Sequence, residues 1–392
     1  GYIGLPTAII AANSGIDIVG VDINPSIVKQ TNEGKTHFVE TGLQELLQNA
    51  LYSKKLIARD APERADAFFI FVPTPINNQK EPDISFVEAA TRSVIPYLQP
   101  ENLFVIESTV PVGTTERMAE LIYRERPELR EKLYIAYCPE RMIPGKAVYE
   151  LTHNDRVVGG LNEASAARAA YFYSQFVEGK IHTTNTRTAE LCKLVENSFR
   201  DVQIAFANEL SIICHNTDID VNTLINMANL HPRVNILTPG CGVGGHCIAV
   251  DPYFLISKYP GETTLIRQAR KVNTYKTQWC IKKIKQSIHE FELSHKSRPK
   301  VALMGLAFKP DIDDLRESPA IDIVSEIMKL SNNTDIMISE PNLSKHQIFN
   351  LTDCTESFRE ADIVVFLVAH SQFKKLPTHS DKVILDFCGV CN

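Results

Sequence analysis

Four glycines in six positions lead up to a cysteine in Pro239-Gly240-Cys241-Gly242-Val243-Gly244-Gly245-His246-Cys247. Such a loop lets backbone approach a ligand closely, a setting found around reactive centres and phosphates more often than in plain linkers. A thiol held there is a candidate nucleophile once something stabilises its thiolate, and Asp251 places a carboxylate four residues beyond Cys247. Cys241 competes for the role, and an inert buried thiol is the competing reading for either cysteine. Lys193 and Asn197 are four apart in a stretch read as helix, so they share a face, with Arg200 close by. A lysine and an amide converging on a pocket can serve proton transfer and oxyanion stabilisation. A solvated helix face is the plain alternative.

A second group of residues has the spacing of a dinucleotide cradle. Gly1-Tyr2-Ile3-Gly4 precedes a helical segment and a strand ending in Val21-Asp22. Glycines there would admit a pyrophosphate, and an acidic residue roughly 20 positions on would accept ribose hydroxyls. The charge of Asp22 would repel a 2'-phosphate, which favours NAD over NADP. Alone, the G-x-x-G spacing also fits a simple turn. The first glycine of the fingerprint and its strand are not in the sequence, and the chain opens on Gly1 inside a turn, so it is expected to be incomplete. Thr74 and Thr109 follow apolar runs, where strand ends could set their hydroxyls beside the dinucleotide. Turn and helix-cap chemistry is the alternative for both.

The elements that must carry these residues alternate. Apolar runs Ile18–Val21, Ala67–Val72, Leu103–Ile106 and Tyr134–Tyr137 are separated by helical stretches, the pattern of a parallel sheet covered by helices, and 155–160 and 180–183 extend it. From Thr186 to about Asn216, and again from about Thr264 to Glu292, neither proline nor glycine obliges a break. A second alternating region starts at Lys300, with runs at 301–304, 336–338, 363–368 and 383–385. The expected fold is α/β, with two Rossmann-like domains joined by a long-helix central region. Boundaries fall at 1–184, 185–294 and 295–392.

Bulk properties narrow the partners. The 392 residues are 44% hydrophobic and 22% charged with a net charge of -6, an ordinary globular balance with no electrostatic reason to expect nucleic acid or membrane. No apolar run approaches the roughly 20 residues needed to cross a bilayer, so a cytoplasmic location is expected. Nine cysteines read as thiols rather than a disulfide framework. Cys388-Gly389-Val390-Cys391 is a lone C-x-x-C without a second pair, so no metal is expected.

Taken together and in order, several segments carry a resemblance that none carries alone. These are Gly1–Gly4, Glu107-Ser108-Thr109-Val110-Pro111-Val112-Gly113, Cys138-Pro139-Glu140-Arg141, Lys193 with Asn197, Gly244–Cys247 and Gly305-Leu306-Ala307-Phe308-Lys309-Pro310. The chain resembles the UDP-glucose/GDP-mannose dehydrogenase family over essentially its whole length. Within it, Asn154–Gly160, His231–Asn235 and Gly245–Pro252 look most like members acting on UDP-N-acetyl-D-mannosamine.

The resemblance implies a four-electron oxidation of the sugar C6 alcohol to an acid with two NAD in succession, through a thiohemiacetal and thioester on Cys247. Lys193 would handle protons, Asn197 and Lys193 would stabilise the oxyanion, and Glu140, Thr109 and Asp251 would organise water and proton transfer. Gly1, Tyr2, Ile3, Gly4, Asp22, Thr74, Thr109 and Arg316 would meet the cofactor. Arg141, Met142, Lys193, Asn197, Arg200, His231, Arg233, Gly244, Phe308 and Lys309 would meet the UDP-sugar. His231 and Arg233 would reach a neighbouring subunit's site, making a homodimer with shared substrate sites functional. Bacterial surface polysaccharide is the family's usual destination.

Three positions depart from the family pattern. Val250 stands where members acting on UDP-glucose have lysine, arguing against glucose; Cys388 replaces a basic residue, and Cys241 replaces a common proline. Alternatives are UDP-N-acetylglucosamine as substrate, a two-electron NAD dehydrogenase of similar fold, and a binding protein without activity. Ser318-Pro319 reads as a helix cap and first helical position.

Overall fold

The computed structural model describes residues 1–38, 40–143, 145–330, 334–376 and 382–391. Its contacts divide the chain into two compact units, Gly1–Val195 and Glu196–Asn392. The boundary falls inside a 31-residue helix, Thr186–Asn216.

Among the described residues the first unit holds seven strands: β1 (Ile18–Val21), β2 (Leu56–Arg59), β3 (Ala67–Ile70), β4 (Leu103–Ile106), β5 (Tyr134–Tyr137), β6 (Arg156–Gly160) and β7 (Ile181–Asn185). β1 and β2 form a parallel pair, and the others a five-stranded sheet in the order β3-β4-β5-β6-β7. β4 is buried along its whole length, as befits a central parallel strand covered on both faces. Alternate residues feed separate cores: Phe104, Ile106, Ile135 and Tyr137 pack with Met118 and Ile122, while Leu103, Val105 and Ala136 pack with Val158 and Tyr173.

The expected parallel sheet is corrected at β6, which runs antiparallel to β5 with Ala136 opposite Gly160 and Tyr137 opposite Gly159. β7 then runs parallel to β6. The helix between β5 and β6, Ala147–His153, has 7 residues. At about 10 Å it does not carry the chain back along the sheet, so the chain re-enters from the end at which it left.

In the second unit, strands β8 (Lys300–Met304), β9 (Asp335–Ser339), β10 (Ile363–Phe366) and β11 (Val383–Asp386) form a wholly parallel sheet in the order β11-β10-β8-β9. Val301, Leu303, Ile363 and Val365 pack on Trp279, Ile284 and Ile288 of the 32-residue helix Thr264–His295 and on Ile323 and Val324 of helix Pro319–Ile327. The other face packs on Phe358. Pro319 begins its helix as expected, but Ser318 does not cap it through its hydroxyl. Its carbonyl accepts the Ile321 N–H at 3.1 Å, and its buried Oγ has no hydrogen-bond partner among the described residues.

Candidate active site

The turn at Gly1–Ile3 feeds directly into helix Gly4–Asn13, whose first turn carries no acidic residue. The positive end of a helix dipole suits a phosphate. A Cβ at Gly4 would meet Phe71 at 3.1 Å, so the position has little room for a side chain. Asp22, just past β1, has one oxygen 3.8 Å from the Gly1 nitrogen, while the other accepts the Asn24 N–H at 2.9 Å. Tyr2 stacks on Phe38 with ring centroids 4.3 Å apart. Small residues at a helix start with an acid beside them fit a dinucleotide bearing ribose hydroxyls. Thr74 and Thr109, both half-buried, follow β3 and β4. Ser108 ties these strand ends together, donating to the Val72 carbonyl and accepting the Val72 N–H, each at 2.8 Å.

Glu140 lies beyond the end of β5 and is buried. Its Oε1 accepts backbone N–H groups of Arg141 at 2.6 Å and Met142 at 2.7 Å, and its Oε2 accepts Arg156 Nη2 at 3.2 Å. Lys193 Nζ donates to the Glu140 backbone carbonyl at 2.7 Å. Lysine, carboxylate and the first substrate candidates, Arg141 and Met142, are therefore one constellation. The Arg141 guanidinium also donates to the Asp155 carbonyl.

Behind Glu140 lies a buried cluster whose members come from separate segments of the sequence. Arg156 is also 3.9 Å from Glu107, donates to Cys138 Sγ at 3.8 Å and lies over the Tyr173 ring at 5.0 Å. Tyr173 donates its hydroxyl proton to Glu107 Oε1 at 2.5 Å. Burial pushes the Glu107 carboxyl up to about 8, opposed by Arg156 and assisted by Glu140. It likewise pushes the Cys138 thiol up to about 12, which makes that cysteine an inert one. The reversed strand explains how Arg156 arrives: continuing the β5–β6 register by four residues on each strand sets Arg156 opposite Glu140. In a parallel strand the first residue would lie at the far end of the sheet.

In the second unit the glycine loop is held from two sides. Gly240 donates its N–H to Asn208 Oδ1 at 2.9 Å, and Thr277 donates its hydroxyl to the Cys241 carbonyl at 2.8 Å. Asn208 in turn donates to Asn273 at 2.9 Å, and Asn273 and Arg270 both donate to Asp201 Oδ1, at 2.7 and 2.6 Å. On the other side the Gly245 N–H donates to the Arg316 carbonyl at 3.0 Å. Gly245 has φ +85, and a Cβ there would lie 2.8 Å from the Phe308 ring. Cys247, half-buried, begins the next turn, its carbonyl accepting the Asp251 N–H at 2.7 Å. Asp251 is buried and accepts the Asn197 side-chain amide.

The remaining candidates fall in place around these groups. Phe308 is half-buried against the glycine loop, whereas Lys309, Arg200, His231 and Arg233 are exposed. Arg316 pairs with Asp314. Cys241 is buried and donates to the Leu367 carbonyl at 3.2 Å, a packing role. Asp386 gathers the backbone N–H groups of Cys388, Gly389 and Cys391 at 2.8 to 3.0 Å, which accounts for that turn. Thr109, Glu140 and Lys193 thus belong to the first unit, and Asn197, Cys247 and Asp251 to the second. Sequence reading missed Glu107, Arg156 and Tyr173 in one, and Asp201, Asn208, Arg270, Asn273 and Thr277 in the other. Polar residues recurring at 201 and 208, and at 270, 273 and 277, mark one face of each long helix and were the available signal.

Three family models cover the chain in sequence. The NAD binding domain of the UDP-glucose/GDP-mannose dehydrogenase family matches residues 1–177, its central domain 187–275 and its UDP binding domain 302–392. A UDP-N-acetyl-D-mannosamine dehydrogenase of Campylobacter jejuni is 47% identical over 404 residues, covering 99% of this chain and 97% of that protein. An NDP-N-acetyl-D-galactosaminuronic acid dehydrogenase of Ralstonia nicotianae is 44% identical over 404 residues, covering 100% and 94%. The solved UDP-D-ManNAc dehydrogenase from Pyrococcus horikoshii matches with a TM-score of 0.90 and 37% identity, covering 100% of this chain and 94% of that one.

Proposed function

Because the chain belongs to the UDP-glucose/GDP-mannose dehydrogenase family, we propose that it oxidises C6 of UDP-N-acetyl-D-mannosamine to the carboxylate, with Cys247 as covalent nucleophile. The enzyme is an NAD-dependent UDP-sugar dehydrogenase performing a four-electron oxidation. The observation that carries the choice of nucleophile is the place of Cys247 at the end of the glycine loop, its backbone carbonyl accepting the N–H of Asp251, whose carboxylate in turn accepts the Asn197 amide. The choice of sugar is supported by near full-length similarity to relatives bearing that sugar's name.

NAD, when bound, supplies the two-electron acceptor, and two are used in turn per sugar. Gly1 to Gly4, Asp22, Thr74, Thr109 and Arg316 would hold it. Lys193, its amino group anchored on the Glu140 carbonyl, takes up the proton of the C6 hydroxyl and, once protonated, shares with Asn197 the developing oxyanion. Cys247 adds to the aldehyde, which keeps it from escaping and divides a difficult oxidation into two manageable steps. Glu140, Thr109 and Asp251 organise the water that cleaves the resulting thioester. Arg141, Met142, Arg200, Gly244, Phe308 and Lys309 recognise the nucleotide sugar, the cations through charge-assisted bonds to the diphosphate. In this reading the work is divided among 1–184 for the dinucleotide, 185–294 for the central helices and 295–392 for the UDP-sugar.

Offered UDP-N-acetyl-D-mannosamine, UDP-N-acetylglucosamine and UDP-glucose separately, the enzyme is expected to form two NADH per molecule of the first and to favour it at least about 10-fold in kcat/KM. Equal or better turnover of the glucosamine epimer overturns the assignment.

His231 and Arg233 complete a second subunit's substrate site in this reading. Both are exposed, next to Met227 at 66% and Leu230 at 83% exposure, so this segment is open to a second chain. Sedimentation should give twice the 43.9 kDa chain mass, and Arg233→Ala should keep that mass while raising KM for the nucleotide sugar. A fully active monomer overturns this part. Among the described residues no helix is long and apolar enough to cross a membrane. A cytoplasmic enzyme feeding surface-polysaccharide synthesis with an acidic sugar is the setting this reading favours.

A further inference from the structure

Two buried carboxylates share one guanidinium in the first unit. Arg156 bonds Glu140 Oε2 at 3.2 Å, and Glu107 Oε2 stands 3.9 Å from the same group. Among the described residues Glu107 Oε2 is buried without a hydrogen-bond partner. A bare carboxylate oxygen in that position would be costly, whereas a protonated carboxyl is tolerated there. The charged and titratable groups facing Glu107 are Arg156 from β6, Cys138 from the end of β5, Glu140 from the loop beyond it and Tyr173 from helix Glu163–Tyr173. Arg156 is the sole cation among them. Burial would pull its proton off more easily, but the Glu140 carboxylate raises its hold on it, so it stays charged.

We propose that Arg156 is a positioning residue that aims Glu140 at the water cleaving the thioester, and that loss of the Glu107 proton draws Arg156 away and slows that step. This rests on Glu140 having the role proposed above. With Glu107 neutral, one cation faces one carboxylate and Glu140 receives its full hold. With Glu107 ionised, two carboxylates compete for one cation, and at 3.9 Å against 3.2 Å a small swing of the guanidinium exchanges them. No residue of the cluster other than Glu140 need touch the sugar.

The test uses the full-length enzyme with saturating UDP-N-acetyl-D-mannosamine and NAD, following kcat and KM across pH. In the native enzyme kcat should fall through an inflection near pH 8, the region to which burial moves Glu107. Glu107→Gln mimics the protonated carboxyl, so it should keep neutral-pH kcat within about 2-fold and lose the inflection. Arg156→Lys should lower kcat by about 10-fold or more with KM nearly unchanged, the split expected of a group acting through Glu140.

Melting temperature gives a reading independent of turnover. A carboxyl raised on folding leaves the native state holding more protons than the unfolded one from its ordinary range up to its folded value. The native protein therefore loses stability as pH rises through that window, and the advantage of Glu107→Gln in melting temperature should grow with pH. An inflection that persists in Glu107→Gln, an Arg156→Lys enzyme with native kcat, or a pH-independent difference in melting temperature overturns the inference. Glu140→Gln separates the two levels: native kcat in that variant would sink the role assigned to Glu140, whereas a large loss there beside native kcat in Arg156→Lys sinks only this inference.

Discussion

Cys247→Ser is expected to form about one NADH per sugar instead of two, with turnover to the acid falling at least about 10³-fold. A serine hydroxyl fits the space but is a far weaker nucleophile at neutral pH, so the aldehyde is no longer captured. Lys193 is untouched by the change, since its bond runs to the Glu140 carbonyl in the other unit, and the first oxidation should persist. The aldehyde should then be trappable with hydroxylamine. Two NADH per sugar at native rate from Cys247→Ser would refute covalent catalysis. Cys241 supplies a useful contrast, because its thiol is buried and committed to the Leu367 carbonyl.

Gly244→Ala should be nearly as damaging, for a reason of packing rather than chemistry. The added methyl would lie 2.5 Å from the Glu317 carbonyl oxygen and 2.8 Å from both Phe308 Cβ and Pro319 Cδ. Two of those three atoms belong to backbone or a proline ring and cannot step aside cheaply. The loop carrying Cys247 must shift instead, and a misplacement of about 1 Å at a reacting group costs about 10²-fold in rate. A loss of that size in kcat/KM, with a lower melting temperature, is the expected result. Gly261→Ala is the control, since nothing lies within 4 Å of its Cβ position. Native activity in Gly244→Ala would show that the loop is not held by these contacts.

The sequence made some of this legible and hid the rest for physical reasons. Strands β4 and β5 have the ends that their continuous apolar runs predict because both lie largely buried inside the five-stranded sheet, where burial decides the pattern. β1 also has its predicted ends, although none of its residues is fully buried. β2 was missed: Leu56-Ile57-Ala58-Arg59 alternates buried and exposed over four residues, too short a stretch for period two to stand out after two lysines. Both long helices were evident from the absence of proline and glycine. The direction of β6 was not, since strand direction is set by the connection preceding it rather than by the strand's own residues. Residues that chemistry makes conspicuous, Cys247, Lys193, Asn197 and Asp251, were identified as candidates. Those that orient them were not, because Arg156, Glu107 and Asn208 look like ordinary polar residues until the fold brings them to their partners.

The reversal of β6 also bears on how this enzyme can be recombined with relatives. Glu140 and Arg156 stand sixteen positions apart, yet face one another only because the register of two antiparallel strands fixes their phase. A single-residue insertion that slid β6 against β5 would present Val157 or Asp155 where the guanidinium belongs, exchanging a cation for a hydrocarbon or an acid. Segment 134–160 is consequently one heritable block. A crossover placed within it joins a carboxylate from one parent to a strand phase from another, while junctions on either side leave the pair intact.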